Sequence, residues 1–475
     1  MLNIVWFRRD LRITDHAPLL RAVAEGIALP LYIADPAYWG QPQTSARQWR
    51  FTARALSALR SQLAVLGAPL AVRVGPPIEV FEQLRSTSNG VTLWSHRGAE
   101  TPYARTRDQA VSEWAAERDI PWNIFDAPGY SPDSPWLEQM AAETLPAPEM
   151  MIAHGVLPGK IVSERILYLD DDDCADVPAG PLPARQTLLQ FLNGGAEHYQ
   201  TARRSRQLAD GPFPRLSAHR ALGTISDREA WQMARDALEG AESGAASSLK
   251  HFMGRLSWRR RFYDLSKSVP APLPSALEAL WPEARDVADR LDAWAAGKTG
   301  FPVIDAAMRC LSATGWLPDQ SRFQATRFAS LILQIPPDQV GQIFAQRTTD
   351  YWPESFFPNL YAATGAWGGP VRLPDPVSIA TSADPDGAFI REWVPELGSV
   401  ADTHLAAPWE MSDEEQSEAG VIIGNDYPGP IVELGSALND ARTRLDTLFA
   451  APDYPSERAA LLSHLGAVIR AVTHA

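Results

Sequence analysis

The chain reads as two structural regimes: an α/β N-terminal domain built on a parallel, doubly wound sheet, followed by an all-α C-terminal domain. Three observations predict this. Short apolar runs alternate with helical patterns up to residue 126. A proline-punctuated stretch then runs from 127 to 186. From 187 to 475 the strand signal fades and helical segments follow one another.

The strand runs are Leu2–Phe7, Ala28–Ala34, Leu70–Val74, Val91–Trp94 and Trp122–Phe125. The clearest helix between them is Thr44–Leu66, where Trp49, Leu56, Leu59, Leu63 and Leu66 form one apolar stripe. Gly67 stops it. Strands separated by helices of this length form parallel sheets covered on both faces. Such sheets bind ligands beyond the carboxyl ends of their strands. The segment 127–186 reads as a linker draped over the surface, with Pro128, Pro146, Pro158 and Pro178 among its breaks and an acidic run at Asp170–Asp173. Beyond it, helices are predicted at 187–194, 226–240, 246–265, 285–296, 302–314, 320–334 and 437–449.

The 475 residues are 45% apolar and 21% charged, close to the globular average. Two cysteines, Cys174 and Cys310, exclude a disulfide framework and any four-cysteine metal cluster within one chain. No metal site is predicted. MLNIVWFRRD places apolar residues before basic ones, the reverse of a secretory leader, and no run is long enough to span a membrane. The expected compartment is the cytoplasm. The net charge of −14 speaks against general affinity for nucleic acid, so DNA contact requires local basic patches.

Several stretches carry chemistry. Trp6–His16 (WFRRDLRITDH) packs three arginines and two aspartates between a strand and a helix. On residue types alone it is a solvated turn, with Asp15 capping the helix that opens near Pro18. Arg215–Ser226 (RLSAHRALGTIS) leads into a helix, where backbone N–H groups and the Ser217 hydroxyl suit phosphate oxygens or a plain N-cap. His251–Asp264 (HFMGRLSWRRRFYD) puts Phe252, Leu256, Arg259 and Tyr263 on one helical stripe with Arg255 beside them. Arg260 and Arg261 form either a DNA footprint with Arg203 and Arg204 or an ordinary solvated face.

WFRRDLR, KTGFPVIDAAMRCLSATGW (Lys298–Trp316) and DPDGAFIREWVPEL (Asp384–Leu397), in this order, resemble the DNA photolyase/cryptochrome superfamily. TTDYWPESFFPNLYAATG (Thr348–Gly365), with Trp94-Ser95-His96 and Arg107-Asp108, resembles a divergent bacterial photolyase-like branch. The resemblance implies a photolyase-like antenna domain over 1–126 and a helical domain over 187–475 that binds FAD. It also implies a monomer, damaged DNA as partner, and a second, antenna chromophore near Trp6, Arg8, Asp10 and Glu100 whose type, if any, stays open.

Carried over residue by residue, the resemblance assigns FAD contacts to Tyr199, Arg215, Leu216, Ser217, Arg259, Asp319, Arg322 and Asp350. Trp258 becomes the ring that flanks a flipped dimer, and a stacked base there contributes about 1–3 kcal/mol. Arg255 takes the place of the dimer-contacting glutamate. Glu354 takes the place of the asparagine facing flavin N5, where it is a candidate proton donor. Other departures are Phe213-Pro214 in place of Thr-Ser, Pro358 and Leu360 in place of two tryptophans, and Arg285 and Pro337 near the places of two more.

The function this implies is a light-dependent flavoprotein, a deoxyribodipyrimidine photolyase splitting pyrimidine dimers by electron transfer from reduced FAD. The alternatives are a cryptochrome-like blue-light photoreceptor without repair activity and, from the N-terminal domain alone, a generic nucleotide-binding protein such as an adenylating enzyme.

Overall fold

The computed structural model describes residues 1–98, 101–131, 134–170, 172–204, 211–266, 281, 286–364, 371–456 and 459. Glu100, Asp171, Arg285, Gly365 and the side chain of Arg204 lie outside the described part. The chain forms two compact units. One comprises Met1–His198, Pro214–Arg260 and Thr349–Glu354; the other comprises Tyr199–Phe213, Arg261–Thr348 and Ser355–Ala475.

The first unit holds a five-stranded parallel sheet of β1 (Leu2–Phe7), β2 (Ala28–Ala34), β3 (Ala71–Val74), β4 (Val91–His96) and β5 (Trp122–Phe125). Their order is β3-β2-β1-β4-β5, so the topology switches direction between β1 and β4. Asn3 pairs with both Ala28 and Thr92, which sets the register of the central strands. Val5 and Phe7 face one apolar layer, with Tyr32, Trp49 and Leu56. Ile4 and Trp6 face the opposite layer, with Leu31, Ala71 and Phe81. Burial on both faces explains why these strands read as continuous apolar runs.

The predicted stripe at 44–66 is helix Ala46–Val65, with Trp49, Leu56, Leu59 and Leu63 fully buried. Each such leucine contributes about 1.5–3 kcal/mol of burial free energy. The segment after residue 126 is tied to this unit by Met151 N–H to Leu66 O (2.7 Å) and Val72 N–H to Pro158 O (2.7 Å). Arg47 grips Asp172 through Nε (2.5 Å) and Nη2 (2.7 Å).

Three helix predictions change. The helix expected at 187–194 starts at Pro181, within the predicted linker, and gives way after Gln190 to a π-turn, Phe191–Gly195. The helix expected at 246–265 is two, Ser243–Leu256 and Trp258–Ser266, broken where Ser257 Oγ donates to Gly254 O (2.7 Å). The helix expected at 320–334 stops at Arg327 and continues as a π-turn, Phe328–Ile332. The Asp15 cap is also corrected. His16 caps helix Ala17–Ala24 through Nδ1, while Asp15 pairs with Arg228 (2.5 Å).

The core of the second unit surrounds helix Pro302–Thr314, whose residues Pro302–Met308 are all buried. Asp305 reaches back to the Thr299 and Gly300 amides (2.8 and 3.0 Å) and accepts from Tyr427 Oη (2.5 Å). Asp384 accepts from the Phe389 and Ile390 amides (3.0 and 2.9 Å) at the start of helix Ala388–Trp393. Two of the motifs that carry the resemblance are thus, in part, devices for starting helices. No helix among the described residues is long and apolar enough to cross a membrane.

Candidate functional site

The predicted site residues fall into two groups, one in each unit. In the first, the break at Ser257 sets Arg255 over Trp258, with its guanidinium carbon 4.3 Å from the ring centroid. An arginine on an indole face is a favourable cation–π pair. Arg259, next after Trp258, is half-buried, lies 3.8 Å over the Trp352 ring and donates to Arg220 O. Burial pulls the Arg259 guanidinium below the usual arginine value, and Tyr130, Asp227 and Glu354 only partly restore it. Arg220 pairs with Asp227 (2.7 Å) and donates to Leu256 O (3.1 Å).

Arg9 converges on the same segment. It donates to Tyr38 Oη (2.7 Å) and Tyr351 O (3.2 Å). Burial alone lowers Arg9, but the field of Tyr38 and Glu354 outweighs it and leaves the guanidinium raised. Glu354 is buried in the first turn of helix Pro353–Thr364, and Asp350 is buried just before it. Arg260 donates to Gly129 O (3.1 Å) and Ser131 O (2.8 Å).

Arg215 adopts φ +43°, a left-handed conformation that costs a non-glycine residue about 1–3 kcal/mol. It is exposed, Leu216 is buried, and Ser217 Oγ is buried with no hydrogen-bond partner. A buried hydroxyl in this state is unfavourable unless something else completes it.

In the second unit, Phe213 stands between Tyr199 (6.4 Å) and Trp316 (5.8 Å) and replaces the expected hydroxyls with an aromatic cluster. Arg203 lies 5.9 Å over the Tyr199 ring. Arg322 donates through Nε to Leu317 O (2.8 Å), Asp319 is exposed at the head of the same helix, and Arg261 is exposed.

Sequence reasoning missed one cluster. Asp10, His16 and His96 are buried together where β1 and β4 end. Asp10 Oδ2 lies 2.9 Å from His16 Nε2 and 2.7 Å from His96 Nδ1, and Asp10 Oδ1 accepts from Arg8 N–H (2.8 Å). Burial would raise Asp10, but the two histidines hold it well below the usual carboxylate range. Burial pushes His96 down to about 4 and also lowers His16, so both rings are neutral. His16 Nδ1 accepts from Leu19 N–H (3.1 Å), which places the ring proton on Nε2, facing Asp10. That tautomer cannot offer Nε2 to a metal, so the trio is a hydrogen-bond network rather than a ligand set. His96 donates through Nδ1, and its Nε2 is a buried acceptor with no partner. Beside it, Arg8 and Arg107 lie 4.6 and 5.1 Å over Trp6, and Arg8 pairs with Asp108 (2.8 Å). The sequence offered Asp10 and the Trp94–His96 triplet separately, and nothing in it joined them.

A doubly wound parallel sheet whose own unit carries the arginine–aromatic pairs, and a second, helical unit, define a photolyase-type architecture. The family described as DNA photolyase matches residues 3–130, and the FAD binding domain of DNA photolyase matches residues 252–447. The chain belongs to the DNA photolyase/cryptochrome superfamily.

Cryptochrome DASH of Natronomonas pharaonis is 28% identical over 484 residues, covering 91% of this chain and 98% of that protein. Deoxyribodipyrimidine photo-lyase of Salmonella typhimurium is 29% identical over 477 residues, covering 91% and 95%. The crystal structure of a bacterial class III photolyase from Agrobacterium tumefaciens superposes with a TM-score of 0.82 at 24% identity, covering 94% of this chain and 98% of that one, a likeness of fold. The residues present fit FAD: the unsatisfied Ser217 hydroxyl and the constrained turn at Arg215 suit a polar ligand.

Proposed function

We propose that this chain is a light-dependent deoxyribodipyrimidine photolyase acting on UV-induced pyrimidine dimers in DNA. The observation that carries the reading is the Arg255–Trp258 platform, a cation on an indole face. Such a surface suits an unstacked base flanked by phosphate. Tyr199, the Arg215–Ser217 turn, Arg259, Asp319, Arg322 and Asp350 hold FAD on this reading. FAD, when bound, supplies the light-driven electron.

The chain's own residues do the rest. Trp258 receives the extruded base, and Arg255 shifts from the indole to the strand. Arg203 and Arg261 meet phosphates. Arg260 contributes mainly by holding the carbonyls of Gly129 and Ser131, so that backbone stays in place beside Arg259. The first unit adds a second chromophore, of open type, at the carboxyl edge of the sheet, where His96 Nε2 would accept a ligand proton donor. The test is direct. Photoreduced protein is illuminated with blue light in the presence of a dimer-containing oligonucleotide, and the dimer is restored to two pyrimidines. An intact dimer sinks the reading.

One observation favours a cryptochrome-like photoreceptor instead. Leu360, counted at the place of a second substrate-side tryptophan, is 5% exposed and packs into the core of the second unit. A yellow protein that is photochemically active but leaves the dimer intact would support that reading.

A further inference from the structure

We propose that His154 is the pH-sensitive latch of a strap, residues 151–159, that covers the outer edge of β3, and that protonation of its ring frees that edge. All of these residues belong to the first unit, and none of them is a candidate cofactor contact.

β3 is an edge strand, paired with β2 on one side and with no further strand among the described residues on the other. An open edge presents amides and carbonyls that another chain can pair with. The strap meets them. It runs beside the stretch from Leu66 to Val72 and touches it at three points. Met151 N–H donates to Leu66 O (2.7 Å), His154 Nε2 to Pro69 O (3.0 Å), and Val72 N–H to Pro158 O (2.7 Å). Pro158 offers a carbonyl without an N–H of its own, so it does not start a new edge. Arg73 Nη1 covers Val72 O (2.8 Å), and its Nη2 holds Leu157 O (2.8 Å). Gly159, at φ +70°, brings the strap so close that a Cβ would lie 2.4 Å from Val72 O.

Little buried surface keeps the strap down. Met151 is its one buried side chain, while Ile152 and Leu157 are 58% and 80% exposed. Segments with few buried contacts open at low free-energy cost. Much of the grip therefore falls to His154, whose hydrogen bonds fix one neutral tautomer. Nε2 carries the proton toward Pro69 O, and Nδ1 accepts from Val156 N–H (3.0 Å). A second proton has to go to Nδ1, where it would face that N–H, donor against donor. The surrounding charges oppose it as well. Arg73 from β3 bears directly on the imidazole, and Arg60 from helix Ala46–Val65 donates to Pro158 O (3.2 Å). No carboxylate among the described residues pairs with the ring. Burial, with Arg73, outweighs the bond to Pro69 and holds His154 below the ordinary 6.5. The opened strap then binds the proton more readily, so opening grows as pH falls below 6.5.

Hydrogen exchange of the full chain tests this, with rates corrected for the intrinsic effect of pH on exchange. Protection of the amides in residues 70–74 should fall by up to about tenfold per pH unit below 6.5. His154→Gln keeps a donor for Pro69 O but cannot titrate, so it should abolish that fall. The amides of β1 should respond to pH alike in both proteins, which separates strap opening from any general loss of stability in acid. A flat profile for residues 70–74 in wild type, or the same pH dependence in His154→Gln, overturns the proposal. Nuclear magnetic resonance of the His154 ring decides it on wild type alone, even if the variant folds poorly. The ring should titrate below 6.5, and a value at or above 6.5 overturns the latch.

Discussion

Mild acid should destabilise the protein through buried neutral histidines. Burial pushes His96 and His219 each down to about 4. Their relative exposures are only 4% and 3%. His219 sits edge-on to Phe51 at 5.3 Å, with Nδ1 3.0 Å from Thr224 Oγ1. In the unfolded chain both titrate near the ordinary value of 6.5. Between these limits the unfolded state binds the extra proton, so stability falls as pH falls below about 6.5 and the loss levels off near 4. The slope is about 1.4 kcal/mol per pH unit for each histidine.

From pH 7 to about pH 5.5 this amounts to roughly 1.2 kcal/mol per ring and about 2.5 kcal/mol for the two. His16, also lowered by burial, acts in the same direction. Asp10 does not contribute in this window. Its lowered pKa stabilises the fold above about 3.8, and that stability is lost only under stronger acid. The assay is urea unfolding followed by circular dichroism at the two pH values. His219→Gln should remove about 1.2 kcal/mol of the pH-dependent loss, whatever it does to stability at pH 7. A midpoint that stays flat or rises between pH 7 and 5.5 refutes the reasoning.

Three further outcomes are expected. Gly223→Ala forces a side chain into a left-handed residue (φ +67°), with the new Cβ 2.2 Å from Arg9 O and 2.7 Å from Asp10 Cα. Backbone has to move, so thermal unfolding should shift down by several degrees and the loss should exceed about 2 kcal/mol. Tyr427→Phe removes the hydroxyl that donates to buried Asp305 at 2.5 Å, which should cost about 1.5–3 kcal/mol in urea unfolding. Trp258→Ala should weaken binding of a dimer-containing oligonucleotide by about 1–3 kcal/mol, read by anisotropy at fixed salt. Undiminished affinity there argues against the platform.

Local signals were legible in the sequence. Trp49, Leu56, Leu59 and Leu63 lie on one face of a single helix, and their spacing alone places them. What escaped depended on distant partners. β4 runs on through Ser95 and His96, polar residues that look like a strand's end until Asp10 and Arg8 are brought to them. Asp15 looks like a helix cap until Arg228, 213 residues away, claims its carboxylate. The break at Ser257 and the π-turn at Phe328–Ile332 interrupt runs whose periodicity continues through them. Within the candidate site, the arginines and Trp258 were readable as residue types. The convergence of Arg9 and Arg259 on the Tyr351–Glu354 segment was not.

The first compact unit draws on three stretches of chain, the last of them only Thr349–Glu354. A ribosome makes them in order, at about 5–20 residues per second, so on the order of ten seconds separate the emergence of His198 from that of Glu354. During that interval the sheet can form, but Arg9 has no Tyr351 carbonyl to reach and Arg259 no Trp352 to cover. Nascent chains therefore pass through a stage in which the sheet precedes the stretch that Arg9 and Arg259 reach. Chains released early, or cut before residue 349, would stay there and be natural clients for holdase chaperones or proteases.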